Sequence, residues 1–213
     1  MASGIDYRSV PKWKMPFIIL SHPMEGLEEM RFNKRGSMLI ANLILCAFFI
    51  TTIISQQYTG FIFNGYRPEN LNIITVFMMT FALFGLWVVS NMAVCTLNDG
   101  EGTFSDVWIN SAYALVPYIL FTLLGVLISN FVVQRESVFF TAMPTIGLLW
   151  SGALLFLALR TAHQFTMGKT VGSVILTLIG MLIVVFMLLL TFALVQKMIG
   201  FITTIYSEIR YRR

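Results

Sequence analysis

Charged residues are scarce in this sequence. Only 11% of its 213 residues are Asp, Glu, Lys or Arg, whereas an average soluble domain has about 25%. Hydrophobic residues make up 57% of the chain and the mean hydropathy is +0.81, which excludes an ordinary water-soluble domain. The formal net charge of +4 does not indicate nucleic-acid binding. Much of the positive charge lies in the two chain ends, as expected beside anionic lipid headgroups.

Residues that carry catalytic or metal chemistry are also few. Two cysteines, Cys46 and Cys95, and two histidines predict neither a disulfide framework nor a metal site, which needs three or four converging ligands. The sequence has no HExxH, GxSxG or CxxC motif and no glycine-rich phosphate loop with a lysine. We therefore expect a protein that is not an enzyme and holds no cofactor or metal. A membrane-embedded hydrolase would have to pair Ser90 or Ser111 with His163.

Five long apolar segments follow Ser37 and fill most of the remaining chain. They run approximately over Met38–Ser55, Ile73–Leu97, Val107–Val132, Phe139–Leu159 and Val171–Gln196. A helix needs roughly 20 residues to cross a hydrocarbon core of about 30 Å, and at these lengths only helices satisfy their own backbone hydrogen bonds in lipid. The sequence therefore predicts an all-α membrane protein, with residues 37–213 forming a five-span transmembrane helix bundle.

Residues 1–36 have a different composition and form a basic, aromatic N-terminal segment. Six Lys or Arg residues are interspersed with Trp13, Phe17 and Ile18–Leu20, and three prolines interrupt long helices. A segment of this kind suits the plane of the lipid headgroups. We expect an interfacial or partly re-entrant segment rather than a disordered basic tail, because the stretch from Trp13 to Leu20 is too apolar to remain in water.

The distribution of Lys and Arg predicts the orientation. With five spans and a cytoplasmic N-terminus, eight of these residues fall on the cytoplasmic side and two, Arg67 and Arg135, on the other, where the C-terminal tail adds four more. Because Lys and Arg are retained on the cytoplasmic side, we expect a multi-pass protein of the cell membrane with its N-terminus in the cytoplasm. The basic C-terminal tail opposes this orientation and leaves an even number of spans open.

Polar residues gather where the second span ends and the third begins. The candidate ligand- or partner-binding residues are Asn91, Asp99, Asp106, Asn110, Tyr113 and His163. Both asparagines lie about one to two turns from the intervening loop, so they should meet at similar depth in a polar pocket that faces the cytoplasm. In the alternative interpretation the asparagines only link two helices. The acidic residues then cap the third helix, with Thr103 or Ser105–Asp106 at its N-cap.

Prolines and small residues within the spans indicate where helices bend or touch. The residues concerned are Pro117, Pro144, Gly147, Ser151 and Gly172. A proline kinks a transmembrane helix unless it falls in the first turn, and we expect Pro144 to be such a first-turn proline. Gly147 with Ser151, and Gly172 with Gly168, form small-residue faces that allow neighbouring backbones to approach closely.

Three sequence elements resemble the Yip1 family, in particular its small bacterial membrane members. They are NMAVCTLNDGEGTF (residues 91–104), SAYALVPY (111–118) and IYSEIR (205–210). The Tyr-x-Leu-x-Pro pattern within the second element is the most specific of these. The resemblance extends in order from Pro16 to the C-terminus, while the Asp-Leu-Tyr-Gly-Pro element of eukaryotic relatives is absent.

The resemblance implies a five-span bundle with a cytoplasmic N-terminus and a non-catalytic role. Bacterial relatives are often associated with ABC transporter systems, which favours an accessory or partner-binding subunit of a membrane complex such as an ABC transporter. The expected partners are membrane lipids and other membrane proteins, an ABC-type permease among them, and no nucleic acid. The alternative function is a lipid- or small-solute-handling protein that uses the cytoplasmic-facing polar pocket.

Overall fold

The computed structural model describes residues 10–64 and 71–211, which contain helices and no strand. Within these ranges the α-helices are α1 Met15–Ser21, α2 Pro23–Phe32, α3 Met38–Tyr58, α4 Ile73–Leu97, α5 Phe104–Tyr113, α6 Val116–Ser129, α7 Ser137–His163 and α8 Met167–Tyr211. Helical stretches that are long and apolar enough to cross a membrane cover Met38–Tyr58, Ile73–Leu97, Phe104–Ser129, Phe140–His163 and Met167–Glu208. The predicted all-α membrane bundle with five spans is confirmed.

The loops lie at two ends of the bundle. We call one of them the polar end; it consists of α1, α2, the loop 98–103, the first turn of α5 and the turn 164–166. At the opposite end, the Gly60 N–H donates to Ser129 Oγ at 2.9 Å, and Asn130 Nδ2 donates to the Tyr58 carbonyl oxygen at 3.0 Å. The basic N-terminal segment and the loop between the second and third spans therefore share one end, as five spans require.

The N-terminal segment is folded against the bundle from Met15 onward. The apolar side chains that it buries in the main core are Met15, Ile19, Leu27 and Met30. Trp13 and Phe17 are 61% and 57% exposed, so the same segment turns aromatic rings outward, as an interfacial helix does. Four basic residues that enter the orientation argument, namely Arg8, Arg67, Arg212 and Arg213, lie outside the described residues.

The third span begins earlier than its apolar pattern indicates. The sequence predicts Val107–Val132, whereas the helical stretch covers Phe104–Ser129. Thr103 is the N-cap: its hydroxyl accepts the Asp106 N–H at 3.3 Å, and Asp106 Oδ2 accepts the Thr103 N–H at 3.1 Å. This reciprocal capping box satisfies two backbone donors and fixes the start of the helix at Phe104, three residues before the predicted start at Val107.

The third span is also broken, as predicted for Pro117. Helix α5 ends at Tyr113, and α6 begins at Val116 with the proline in its first turn. Proline has no N–H to donate to the preceding turn, which separates the span into two helices. Helix α6 then packs on α3 and α7, whereas α5 also packs on α4.

The small-residue face of α7 is confirmed. A Cβ added at Gly147 would lie 2.8 Å from Phe121 Cβ and 3.1 Å from Tyr118 Cα of α6, and Ser151 Oγ accepts the Tyr118 N–H at 3.0 Å. The expectation for Pro144 is wrong. Helix α7 already begins at Ser137, so this proline lies two turns inside the helix, because the apolar pattern starts later than the helix does.

Helix α8 continues beyond the predicted span into the segment after Gln196, which the sequence indicates is an amphipathic extension of the last helix. The sequence predicts a span over Val171–Gln196, whereas the helix covers Met167–Tyr211. Its 45 residues measure about 67 Å at a rise of 1.5 Å per residue. Nothing after Gln196 stops it, because Lys197 and the single Gly200 are compatible with a continuing helix.

Helix α8 contacts the rest of the chain mainly through its first part. Its buried side chains are Thr170, Ser173 and Thr177, and it packs principally on α4. Gly168 and Gly172 have nothing within 4 Å of an added Cβ, so no described helix of this chain packs closely on this small-residue face. The three buried hydroxyl side chains lie on the face of α8 that points to α4, and the two glycines lie on the opposite face.

Candidate functional site

Asn91 and Asn110 lie close together, as the sequence predicts. Both are buried and, with Ser111, line a cavity of about 10 Å³ between α4, α5 and α7. A cavity of this size is just large enough for one water molecule. Asn91 Nδ2 donates to Thr177 Oγ1 of α8 at 3.4 Å, and Asn91 Oδ1 accepts the Cys95 thiol of its own helix at 3.8 Å. Asn110 Nδ2 has no hydrogen-bond partner among the described residues.

Asp106 joins the N-terminal segment to the third span. Arg31 Nη1 of α2 lies 2.7 Å from Asp106 Oδ2, and Arg31 Nη2 donates to the Glu101 carbonyl oxygen at 3.0 Å. The two side chains are only 16% and 24% exposed, so this ion pair is shielded more than a surface pair. The same carboxylate oxygen accepts the Thr103 hydroxyl at 2.7 Å. Asp106 thus caps α5 and holds α2 at once.

Arg31 is a member of this group that sequence reasoning does not identify. It stands 75 residues from Asp106 and is one basic residue among six in the N-terminal segment. Only folding brings α2 over the 98–103 loop. The sequence contains one usable signal. Leu27 and Met30 are three residues apart, as on the buried face of a helix, and Arg31 follows directly on the side of the bundle.

His163 is buried beneath the loop 98–103. Its Nδ1 accepts the Gly102 N–H at 3.2 Å, and its ring stacks on Phe165 at 5.4 Å between centroids. A Cβ added at Gly100 or Gly102 would lie 2.6 Å or 2.8 Å from this nitrogen. Both glycines are therefore required for the loop to close over the imidazole. His163 Nε2 has no hydrogen-bond partner within the described part of the chain.

Asp99 and Tyr113 lie apart from these contacts. Asp99 is exposed in the loop with φ 56°, a left-handed conformation that Asp tolerates better than most residues. Tyr113 is fully buried in the main core, on the side of α5 that faces the start of α3 at Ser37. Four of the six candidate residues therefore form two adjacent contacts, one around Asn91 and Asn110 and one around Asp106 and His163, and the six do not line one open pocket.

Ser90 and Ser111 do not form with His163 the pair that a serine hydrolase would use. Ser111 Oγ accepts the Trp87 Nε1–H at 3.2 Å, and neither Ser90 nor Ser111 is hydrogen-bonded to His163. A serine hydrolase requires its base within hydrogen-bond reach of the nucleophile. Among residues 10–64 and 71–211, no group of three or more His, Cys, Asp or Glu side chains could hold a metal ion.

The family match covers both the N-terminal helices and the spans. A family model described as the Yip1 domain matches residues 17–207, from α1 to near the end of α8. Neither a curated protein nor a solved structure matches the chain. The matched range includes every helix that contributes to the contacts of Asp106, His163 and Asn91. The chain is a multi-pass membrane protein that belongs to the Yip1 domain family.

Proposed function

We propose that this protein is a non-catalytic subunit of a membrane complex and that it binds another integral membrane protein through α8. The observation that carries the proposal is the exposure of this helix. The most apolar 18-residue window of the candidate span Met167–Glu208 has a mean hydropathy of 3.0, and none of that window is buried within the chain. An ABC-type permease is the partner that the family resemblance suggests.

The length of α8 supports a protein partner rather than lipid alone. The candidate span of 42 residues measures about 63 Å, about twice the hydrocarbon thickness of roughly 30 Å. If its polar-end turn lies at one membrane surface, apolar side chains such as Phe201 and Ile202 extend past the other. These two are 68% and 60% exposed in the isolated chain. Apolar surface of this extent in a polar environment marks an interaction site.

The first turns of α8 offer a surface for a second helix. Gly168 and Gly172 leave open space where an added Cβ would lie, on the side away from the buried Thr170 and Thr177. A small-xxx-small pair lets two membrane helices approach closely. The unfilled glycine face and the apolar face further along the helix therefore form one continuous surface.

We further propose that the protein lies in the cell membrane with its N-terminus and polar end in the cytoplasm. The support is the excess of Lys and Arg on that end and their known retention on the cytoplasmic side.

Site-specific photo-crosslinking in cells tests the partner. Benzoylphenylalanine replaces Phe186 or Phe192 of α8, which are 59% and 62% exposed, and Leu43 of α3, which is 60% exposed, as the control. We expect both α8 positions to give a discrete adduct with a polytopic membrane protein, and Leu43 to give none. The adduct should weaken when Gly172 is replaced by Leu. Recovery of the chain alone in gentle detergent, with no adduct from either α8 position in several growth conditions, would refute the proposal.

A further inference from the structure

A second cavity lies in the half of the bundle away from the polar end. It has a volume of about 690 Å³ and is bounded by α3, α4 and α6. Its walls include Thr52, Gln56, Val76, Thr80, Leu115 and Tyr118. Binding sites for small molecules usually measure about 300–1,000 Å³. The cavity is thus large enough for a ligand, unlike the one beside Asn91.

The cavity results from the break in the third span. Before the break, α5 packs on α4; after it, α6 packs on α3 and α7 and has at most slight contact with α4. The Phe48 ring of α3 meets Tyr118 of α6 edge-on at 5.6 Å, while Phe49 turns to Phe77 and Phe81 of α4. These three aromatic contacts hold α6 and α4 on different sides of α3 and leave the space between them.

The cavity opens sideways from the bundle. Met79 and Leu83 of α4 line it and are also 61% and 56% exposed. Both lie within the candidate span Ile73–Leu97. The opening therefore faces the lipid hydrocarbon, and a ligand reaches the cavity from the membrane.

The lining changes from polar to apolar with depth. Gln56, Asn72 and Thr75 lie at the end of the cavity toward the opposite end of the bundle. The Gln56 side-chain amide makes no hydrogen bond with a described residue, and Asn72 uses only its Oδ1, which accepts the Thr75 N–H at 3.2 Å. The deep end is formed by Trp87 and Ser111, which are hydrogen-bonded to each other. Among the residues that line the cavity, the amide donors without a partner thus lie at its membrane-surface end.

The dimensions correspond to one leaflet. From Thr75 to Trp87 the cavity follows α4 for about 18 Å, slightly more than half of a hydrocarbon core of about 30 Å. No Asp, Glu, Lys or Arg is among the described residues that line it. A charged ligand would be bound there without a counter-charge, which is costly in a low-dielectric environment.

We propose that this cavity binds one acyl chain of a membrane lipid from the leaflet at the opposite end of the bundle. The chain lies between α4 and α6, and the polar glycerol–ester region of the lipid accepts hydrogen bonds from the Gln56 and Asn72 amides. The site is independent of α8 and of the protein partner.

Photolabelling in vesicles tests this site. The full chain is reconstituted in phosphatidylcholine that contains a phosphatidylcholine analogue with a diazirine in its acyl chain, and the adducts are located by mass spectrometry. We expect adducts on inward-facing Val76, Thr80 and Leu115. The replacements Thr80→Phe and Thr52→Phe fill the cavity from two different helices, and each should abolish these adducts. Met78→Phe, at a lipid-facing position that is 60% exposed, should leave them unchanged.

Two results would overturn the inference. One is labelling confined to outward-facing positions such as Met78 in the unaltered protein. The other is inward labelling that persists in a folded cavity-filling variant, where thermal unfolding in detergent shows that the variant is folded. If neither variant folds, the adduct map of the unaltered protein decides between an occupied cavity and a surface that lipid only touches from outside.

Discussion

The polar end of the bundle and helix α8 use their side chains in opposite ways. At the polar end, residues distant in sequence meet: Arg31 contacts Asp106, and His163 accepts a hydrogen bond from Gly102. Along α8 beyond Val184, no described side chain is buried. The first region joins polar groups from distant parts of the chain, whereas the second leaves a long apolar surface uncovered.

This difference distinguishes a region that stabilises the fold from a region whose surface is free to contact another molecule. Polar groups that are hydrogen-bonded to each other hold loops and helices in place, and the small cavity beside Asn110 has no room for a ligand larger than water. An exposed apolar helix that is twice as long as a span gains stability only when something covers it. In the function proposed above, the polar end fixes the fold and α8 offers the surface for binding.

The largest expected difference concerns the sides on which the two regions emerge. In a Cys46→Ala background, Glu101→Cys at the polar end and Glu208→Cys near the end of α8 are matched exposed positions. With five spans, a membrane-impermeant maleimide should label only the second in intact cells, and both after permeabilisation. The remaining Cys95 is fully buried and serves as the unreactive baseline.

Labelling of both positions from the same side would contradict this arrangement. It would mean that α8 turns back before its end and that the number of crossings is even, which is the alternative that the basic C-terminal tail leaves open. The polar end and the end of α8 would then lie on the same side of the membrane.

A pair of glycine substitutions compares how tightly the two regions are packed. At Gly102, an added Cβ would lie 2.7 Å from His163 Cε1 and 3.0 Å from the Ala162 carbonyl oxygen, so Gly102→Ala should lower the unfolding free energy by about 1–3 kcal/mol. At Gly172 nothing lies within 4 Å, so Gly172→Ala should leave it unchanged or raise it by at most about 1 kcal/mol. Thermal unfolding of the purified chain in detergent measures both.

Equal destabilisation by the two substitutions would show that α8 packs against another part of this chain. An unchanged Gly102→Ala variant would show that the loop 98–103 does not close tightly over the imidazole. Either result would remove the proposed difference between a packed polar end and an open helix.

The fold was predictable where one physical requirement dominates the sequence. The need for about 20 apolar residues per crossing fixes the five spans, and Pro117 marks the break because proline has no N–H. The helix ends were less predictable. Thr103, one of the N-cap candidates, begins α5 three residues before the predicted start of the span at Val107. Helix α8 runs on beyond the predicted span through the amphipathic stretch after Gln196, where no helix-stopping residue sets its end.

The candidate site was predictable only in part. The antiparallel hairpin of α4 and α5 places Asn91 and Asn110 at one depth, because equal distances from a loop give equal heights on two helices. The partners of these residues follow from packing across the whole chain. Thr177 reaches Asn91 from α8, and Arg31 reaches Asp106 from α2. Both pairs are far apart in sequence, so the residues around each member do not identify its partner.

A pair of carboxylates within the polar end gives the smallest expected difference. Asp106→Asn removes the negative charge that faces Arg31 while it keeps an oxygen for the cap, so we expect a loss of about 1 kcal/mol in unfolding free energy. Asp99→Asn removes an equal charge at an exposed position where Asn also tolerates the positive φ, and it should change stability by less than about 0.5 kcal/mol. The loss in Asp106→Asn should shrink at high salt, because screening weakens a partly exposed ion pair. Equal effects of the two substitutions would mean that the Arg31 contact does not hold α2 on the bundle, and the N-terminal helices would then depend on apolar packing alone.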